Sequence, residues 1–312
     1  MPGHYNVWVF NRRVSPAALV FAAALLPAVS AATFDEAAPP GKNYDKAEFR
    51  LWYPDGAASL AAAVILVPGS NGDGRSSVDD PVWQAFAIRH SLALVGCRFT
   101  DKPHEQNFIE EYANVSQGSG QALLDAVAAF ATRSKHAELA SAPFLLWGMS
   151  AGGQFNYEFV AWKAERVIAF VVNKGGIYYT ALTPRAARAV PGMLFIGGKD
   201  LDSRVDIIRG LFALNRRGGA LWAIAEEPGA AHIVGRSRDV CIIFFEDVMS
   251  LRLGKNGLKA LDEASGLLAD PKLKSFRAVT EGKAPPYPVG WLPTERVARA
   301  WLAIETEKPF EQ

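Results

Sequence analysis

The sequence has little of what marks a metal, redox or nucleic-acid protein. It holds two cysteines, Cys97 and Cys241, among 312 residues, and no Cys/His spacing suggests zinc. Both cysteines fall in apolar stretches, so two buried thiols are the plain reading. A single disulfide is the alternative that an exported chain permits. Charge of one sign is also missing. There are 33 basic and 32 acidic residues, for a net charge of +1. No basic stripe or like-charge block occurs, so nucleic acid is not an expected partner. Only five histidines are present, which narrows the search for a catalytic base. Apart from one stretch near the N-terminus, no long apolar run exists. Half of the residues are hydrophobic, enough for a sizeable core.

The exceptional stretch comes first. Arg12 and Arg13 precede a charge-free run from Val14 to Ala32, and Val29-Ser30-Ala31 supplies small residues. A basic start, an apolar run and a small-residue site are the parts of a secretory signal. Residues 1–31 are therefore expected to be a cleaved signal peptide of a secreted or periplasmic protein. An uncleaved membrane anchor is the alternative, because the run approaches the length that spans a bilayer. After cleavage no membrane association is expected.

From Phe49 onward, short apolar runs alternate with helical stretches. Strands are expected at Phe49–Tyr53, Ala62–Val67, Leu92–Val95, Phe144–Trp147, Val167–Val172, Met193–Ile196 and Leu221–Ala225. Helices are expected at Val82–His90, Gly118–Arg133, Val205–Arg216, Ser237–Leu253 and Thr294–Ile304, the last capped by Thr294. This alternation predicts an α/β fold with a mostly parallel central sheet and helices on both faces, in one domain over 32–312. Residues 255–290 break the rhythm. They are polar and end in Ala284-Pro285-Pro286-Tyr287-Pro288. Pro-rich chain continues neither helix nor ladder, so a surface excursion is expected there.

Gly148-Met149-Ser150-Ala151-Gly152 stands between the run Phe144–Trp147 and a helical stretch that follows. A G-x-S-x-G between strand and helix reads as a nucleophile elbow. Glycines flank the serine because the turn leaves no room for side chains. The helix aims its free N–H groups at the same spot.

A serine hydroxyl needs a base to take its proton. With this elbow the chain order is serine, acid, histidine. Of His4, His90, His104, His136 and His232, only His232 follows Ser150. It sits in a Gly-containing loop after the last strand. His90 ends a helix, where a cation suits the dipole. His136 is expected to be solvated. His104 follows the strand at Leu92 and could line a substrate pocket. The acid is assigned to Asp200, where a strand runs through Gly197-Gly198 into a carboxylate. Asp202 and Asp206 are expected to be solvated or to cap a helix, and Glu226 and Glu227 are held in reserve as the acid. The oxyanion needs two donors set in advance. The backbone N–H groups of Ala151 and of Ser70, in Pro68-Gly69-Ser70, are assigned to it. A plain Gly turn is the alternative for the second. Asn71, His104, Met149 and Tyr287 are expected to contact substrate, with Trp291 a further wall candidate.

Trp147-Gly148-Met149-Ser150-Ala151-Gly152-Gly153-Gln154-Phe155 resembles the elbow of α/β-hydrolases. It is similar to that of secreted esterases related to polyhydroxybutyrate depolymerases, feruloyl esterases and dienelactone hydrolases. The resemblance covers about residues 48–250. It implies an α/β-hydrolase fold and hydrolysis of a carboxylic ester, small or polymeric, through an acyl-enzyme. No metal or organic cofactor is implied. Two features depart from the pattern. Pro68 replaces the usual histidine before the oxyanion glycine, and Asn173–Val190 is too short for a large lid. An amide substrate and a catalytically silent binding protein are the alternatives.

Overall fold

The computed structural model describes residues 31–106, 109–255, 257–280 and 285–310. The expected signal segment lies outside them, apart from Ala31. Eight strands form one sheet: β1 (Ala31–Ala38), β2 (Lys46–Pro54), β3 (Ala62–Val67), β4 (Leu92–Thr100), β5 (Phe144–Gly148), β6 (Val167–Asn173), β7 (Gly192–Gly197) and β8 (Trp222–Glu227). Their order is β1-β2-β4-β3-β5-β6-β7-β8. β1 runs antiparallel to β2 and β2 antiparallel to β4, while every pair from β4 to β8 is parallel. β1 is a strand that the sequence pattern did not announce.

Helices cover both faces: α1 (Pro81–His90), α2 (Ser119–Ser134), α3 (Ala151–Lys163), α4 (Arg185–Arg188), α5 (Asp202–Arg217), α6 (Ser237–Arg252) and α7 (Glu295–Glu305). α1 starts at Pro81, with Asp80 Oδ1 accepting the Val82 N–H at 2.8 Å. Pro at the first position has no N–H to waste. Thr294 caps α7 as expected, accepting the Val297 N–H. Strand side chains alternate between two cores. Ala63, Ile65 and Val67 pack with Phe130, Phe155 and Ile208 of α2, α3 and α5. Ala62, Val64 and Leu66 pack with Phe86, Phe244 and Trp301 of α1, α6 and α7. Burial on both faces explains why β3, β5, β6 and β7 read as unbroken apolar runs. Cys97 and Cys241 lie in different cores and are free.

The surface excursion expected over 255–290 contains strands that the sequence pattern did not announce. β9 (Leu253–Gly254) and β10 (Gly257–Leu258) make a short hairpin. β11 (Leu267–Asp270), β12 (Ser275–Ala278) and β13 (Gly290–Leu292) form a three-stranded antiparallel sheet. It abuts edge strand β8, since a Cβ on Gly290 would lie 3.1 Å from Ala223. Among the described residues no helix is long and apolar enough to cross a membrane.

The chain passes from β3 to β4 on one side, then crosses back to β5 on the other side of β3. Loops after β3 and β5 therefore diverge at the carboxyl edge, which is where open parallel sheets form their crevice.

Candidate active site

Ser150 stands at that edge with φ 54° and ψ −121°, a conformation strained for any residue with a Cβ. Two glycines permit it. A Cβ on Gly148 would lie 2.3 Å from the Gly152 carbonyl, and one on Gly152 would lie 2.1 Å from Val67 O. Both distances are far inside contact. Neighbouring strands hold the turn: the Met149 N–H donates to Val67 O at 3.2 Å and the Ser150 N–H to Asn173 O at 2.8 Å. The N–H groups of Gly152 and Gly153 turn onto the carbonyls of Met149 and Ser150. The Ala151 N–H precedes them at the start of α3. The side chain of Met149 is half-buried and packs on the α1–α6–α7 core.

The loop after β8 brings His232 to the elbow. Its Nε2 lies 3.0 Å from Ser150 Oγ and its Nδ1 lies 2.9 Å from Asp200 Oδ2. Asp200 follows β7 through a Gly197-Gly198 turn. Its side chain is 2% exposed, against 34% for His232. Its other oxygen accepts the Leu201 N–H at 2.8 Å and pairs with Arg204. Burial alone would raise the Asp200 pKa. The hydrogen bond from His232, the Leu201 N–H and the Arg204 charge outweigh it, and the carboxyl ends below its usual value. It is therefore held as an anion beside the imidazole. Asp202 and Asp206 are exposed. The reserve acids have other partners, Glu226 pairing with Arg209 and Glu227 with Lys174.

The loop after β3 runs beside the nucleophile, since a Cβ on Gly69 would lie 3.6 Å from Ser150 Cβ. The Gly72 N–H donates to Gly69 O and the Asn71 N–H to Tyr112 Oη. Asn71 adopts φ 53°, and its Oδ1 accepts the Asp101 N–H at 2.7 Å. An open cavity of about 400 Å³ is lined by Ser70, Asn71, Asp101, His104, Gln106 and Glu110 among others. His104 lies 3.6 Å from Asp101. Ser70, Asn71 and His104 thus share one polar wall.

Three expectations need correction. Tyr287 is placed away from this cluster. Its Oη donates to Asp270 at 2.7 Å and the Lys272 ammonium lies over its ring, beside the small sheet. Trp291 is buried there, its Nε1 donating to Glu263 O. A short stretch before a strand could not reveal which edge that strand would join. His136 is not solvated. It pairs with Glu138 at 2.8 Å and meets the Tyr53 ring.

Three supporting residues were not singled out from the sequence for the parts they take here. Arg204 was readable in principle, as a basic residue four positions after Asp200 at the start of a helix. Asn173 and Lys174 carry no such mark, because their partners come from distant strands. Among the described residues no group of three or more His, Cys, Asp or Glu side chains is arranged to hold a metal ion.

Solved structures that resemble the chain include an esterase and a depolymerase. A ferulic acid esterase aligns over 72% of this chain and 98% of its own, with TM-score 0.50 and 9% identity. LpqC, a poly(3-hydroxybutyrate) depolymerase from Bordetella parapertussis, aligns over 70% and 90%, with TM-score 0.51 and 18% identity. No family model and no curated protein matches the chain. The structural likeness, with the strand order above, establishes the α/β-hydrolase fold.

Proposed function

We propose that the protein is a serine hydrolase of carboxylic esters, working through a Ser150–His232–Asp200 triad. The observation that carries this reading is the single imidazole within hydrogen-bond distance of both Ser150 Oγ and Asp200 Oδ2. Asp200 holds the tautomer with the proton on Nδ1, which leaves Nε2 to accept. Ser150 Oγ attacks the ester carbonyl as Nε2 takes the hydroxyl proton. The oxyanion receives the Ala151 and Ser70 N–H groups, each followed by N–H groups already bonded to the protein. Such donors contribute about 3 kcal/mol each to the transition state. The tetrahedral intermediate collapses, and the alcohol leaves with the proton from Nε2. Water then attacks the acyl-enzyme with the same base, releasing the acid and restoring Ser150.

The wall of Asn71 and His104 favours polar substrate groups beside the oxyanion loop. Solved neighbours called a ferulic acid esterase and a poly(3-hydroxybutyrate) depolymerase agree with ester chemistry. Residues 1–31 act as the export signal in this reading. The test uses a fluorophosphonate probe and p-nitrophenyl butyrate. Wild-type protein should be labelled at Ser150 and turn over the ester, while Ser150→Ala should do neither, losing about 10⁶-fold in kcat with an unchanged Tm. Wild-type protein that is neither labelled nor active would instead be a binding protein on this fold.

A further inference from the structure

One buried ion pair lies where the three arms of the site meet. Lys174 follows β6 and is fully buried at φ 53°. Its Nζ donates to Asn173 Oδ1 at 3.1 Å and to Glu227 Oε2 at 3.2 Å. Glu227 closes β8, and the loop that carries His232 begins after it. The Glu227 carbonyl accepts the N–H groups of Gly198 and Ala230 at 2.9 and 3.1 Å. Its Oε1 accepts the Arg236 N–H at 2.9 Å, at the far end of the same loop. Gly235, at φ 57°, is pressed onto this carboxylate, where a Cβ would lie 2.1 Å from Oε2.

The other arms tie into the same point. Asn173 takes the Ser150 N–H on its carbonyl and donates its amide to Val234 O at 3.3 Å. The Lys199 N–H, next to Asp200, donates to Ala230 O at 2.9 Å. A Cβ on Gly197 would meet Ala230 O, Ala231 O and Lys174 Cε within 3.0 Å. Glu227 therefore holds both ends of the His232 loop, the near end by its main-chain carbonyl and the far end by its carboxylate, and the lysine joins that carboxylate to the strand that holds the elbow.

A buried ion pair is seldom more stabilising than apolar residues of the same volume. It does supply direction, since hydrogen bonds fix a loop where an apolar contact allows sliding. Burial pulls the Lys174 pKa down, and the charges of Glu227 and Asp200 oppose that.

We infer that Lys174 and Glu227 are positioning residues that set the His232 imidazole against Ser150 Oγ through residues 228–236, without touching substrate. This rests on the triad reading above. The test compares Glu227→Gln, Lys174→Met and Gly235→Ala with wild type on p-nitrophenyl butyrate. Active sites are counted by fluorophosphonate titration, and Tm is recorded. Misplacing a catalytic group by about 1 Å costs about 10²-fold. Each of the first two variants should lose about that much kcat per titrated site, with KM nearly unchanged and phosphonylation slowed in parallel. Gly235→Ala changes an exposed loop, so it keeps the test open if the buried variants fail to fold; a loss of about tenfold is expected. A kcat per titrated site equal to wild type, with only Tm lowered, would overturn the inference. Ser150→Ala and His232→Ala serve as controls. Turnover that survives in them would refute the triad itself. Dead controls beside full-speed pair variants would refute the positioning role alone.

Discussion

Ser150 and His232 face each other across 3.0 Å, but the chain holds them by different means. On the serine side the constraint is steric. Gly148 and Gly152 admit a turn that no side chain fits, and the backbones of β3 and β6 bond it in place. On the histidine side the constraint is polar. Asp200 is gripped by Arg204 and the Leu201 N–H, and the loop of His232 hangs on Glu227 and Lys174. Steric constraint is local and tolerates no substitution. Polar constraint reaches across the sheet, and it fails when one partner is lost, because the other is then left buried and unpaired.

The largest expected effect within this contrast comes from Asp200→Asn. Asparagine keeps the shape but favours the wrong imidazole tautomer, so kcat should fall about 10⁴-fold. Asp202→Asn should leave kcat near wild type. If Asp202→Asn proves the crippling change, the polar half has been misassigned.

Gly152→Ala tests the steric half. The new Cβ would lie 2.1 Å from Val67 O, and backbone cannot swing aside as a side chain can. Overpacking of this kind costs about 3 kcal/mol, read as a lower urea midpoint together with lost turnover. An unchanged midpoint would show that the elbow has more slack than its geometry implies.

Arg204→Gln is milder. Asp200 has a lowered pKa, so its contribution to stability is present above the unfolded-state value and disappears as pH falls through the lower folded value. Removing Arg204 shrinks that contribution. The variant should be about 1 kcal/mol less stable near pH 6. The gap from wild type should close as acid protonates the carboxyl. A gap that does not depend on pH would mean Arg204 acts by packing alone.

Glu305 of α7 sharpens the comparison from outside the site. It is buried, its Oε1 accepts the Glu226 N–H, and burial pushes its pKa up to about 7. The folded state keeps a proton that the unfolded state loses from about pH 4.5. This favours folding at low pH, and the benefit is lost as pH rises through 7. Glu305→Gln should therefore stabilise the protein by about 2 kcal/mol at pH 8 and change little at pH 4. Activity per titrated site should not change. Equal stability at both pH values would show that Glu305 is not strained by burial.

Much of the sheet was legible because buried parallel strands must be apolar throughout. β3, β5, β6, β7 and β8 were located within a residue or two, and β4 was longer than its apolar run suggests. β1 was missed because Ala31–Ala38 alternates small, polar and acidic residues. Its half-exposed pattern has meaning only once β2 is beside it. The three-stranded sheet within 255–292 was missed for a similar reason. Its strands span only three or four residues and depend on β8 for a surface.

By itself the sequence determined the elements whose cause is local: the elbow with its glycines, the serine–acid–histidine order, the single histidine after Ser150, and the apolar strands of a two-sided core. Those features follow from side-chain size, backbone freedom and burial at neighbouring positions. Only the tertiary structure decided that Tyr287 stands beside the small sheet, that His136 pairs with Glu138, that Arg204 pairs with Asp200, and that Lys174 meets Glu227 beside the loop of His232. Each of these depends on which strands become neighbours. A buried charge is tolerable only when its partner arrives, and Glu227 lies 53 positions along the chain from Lys174.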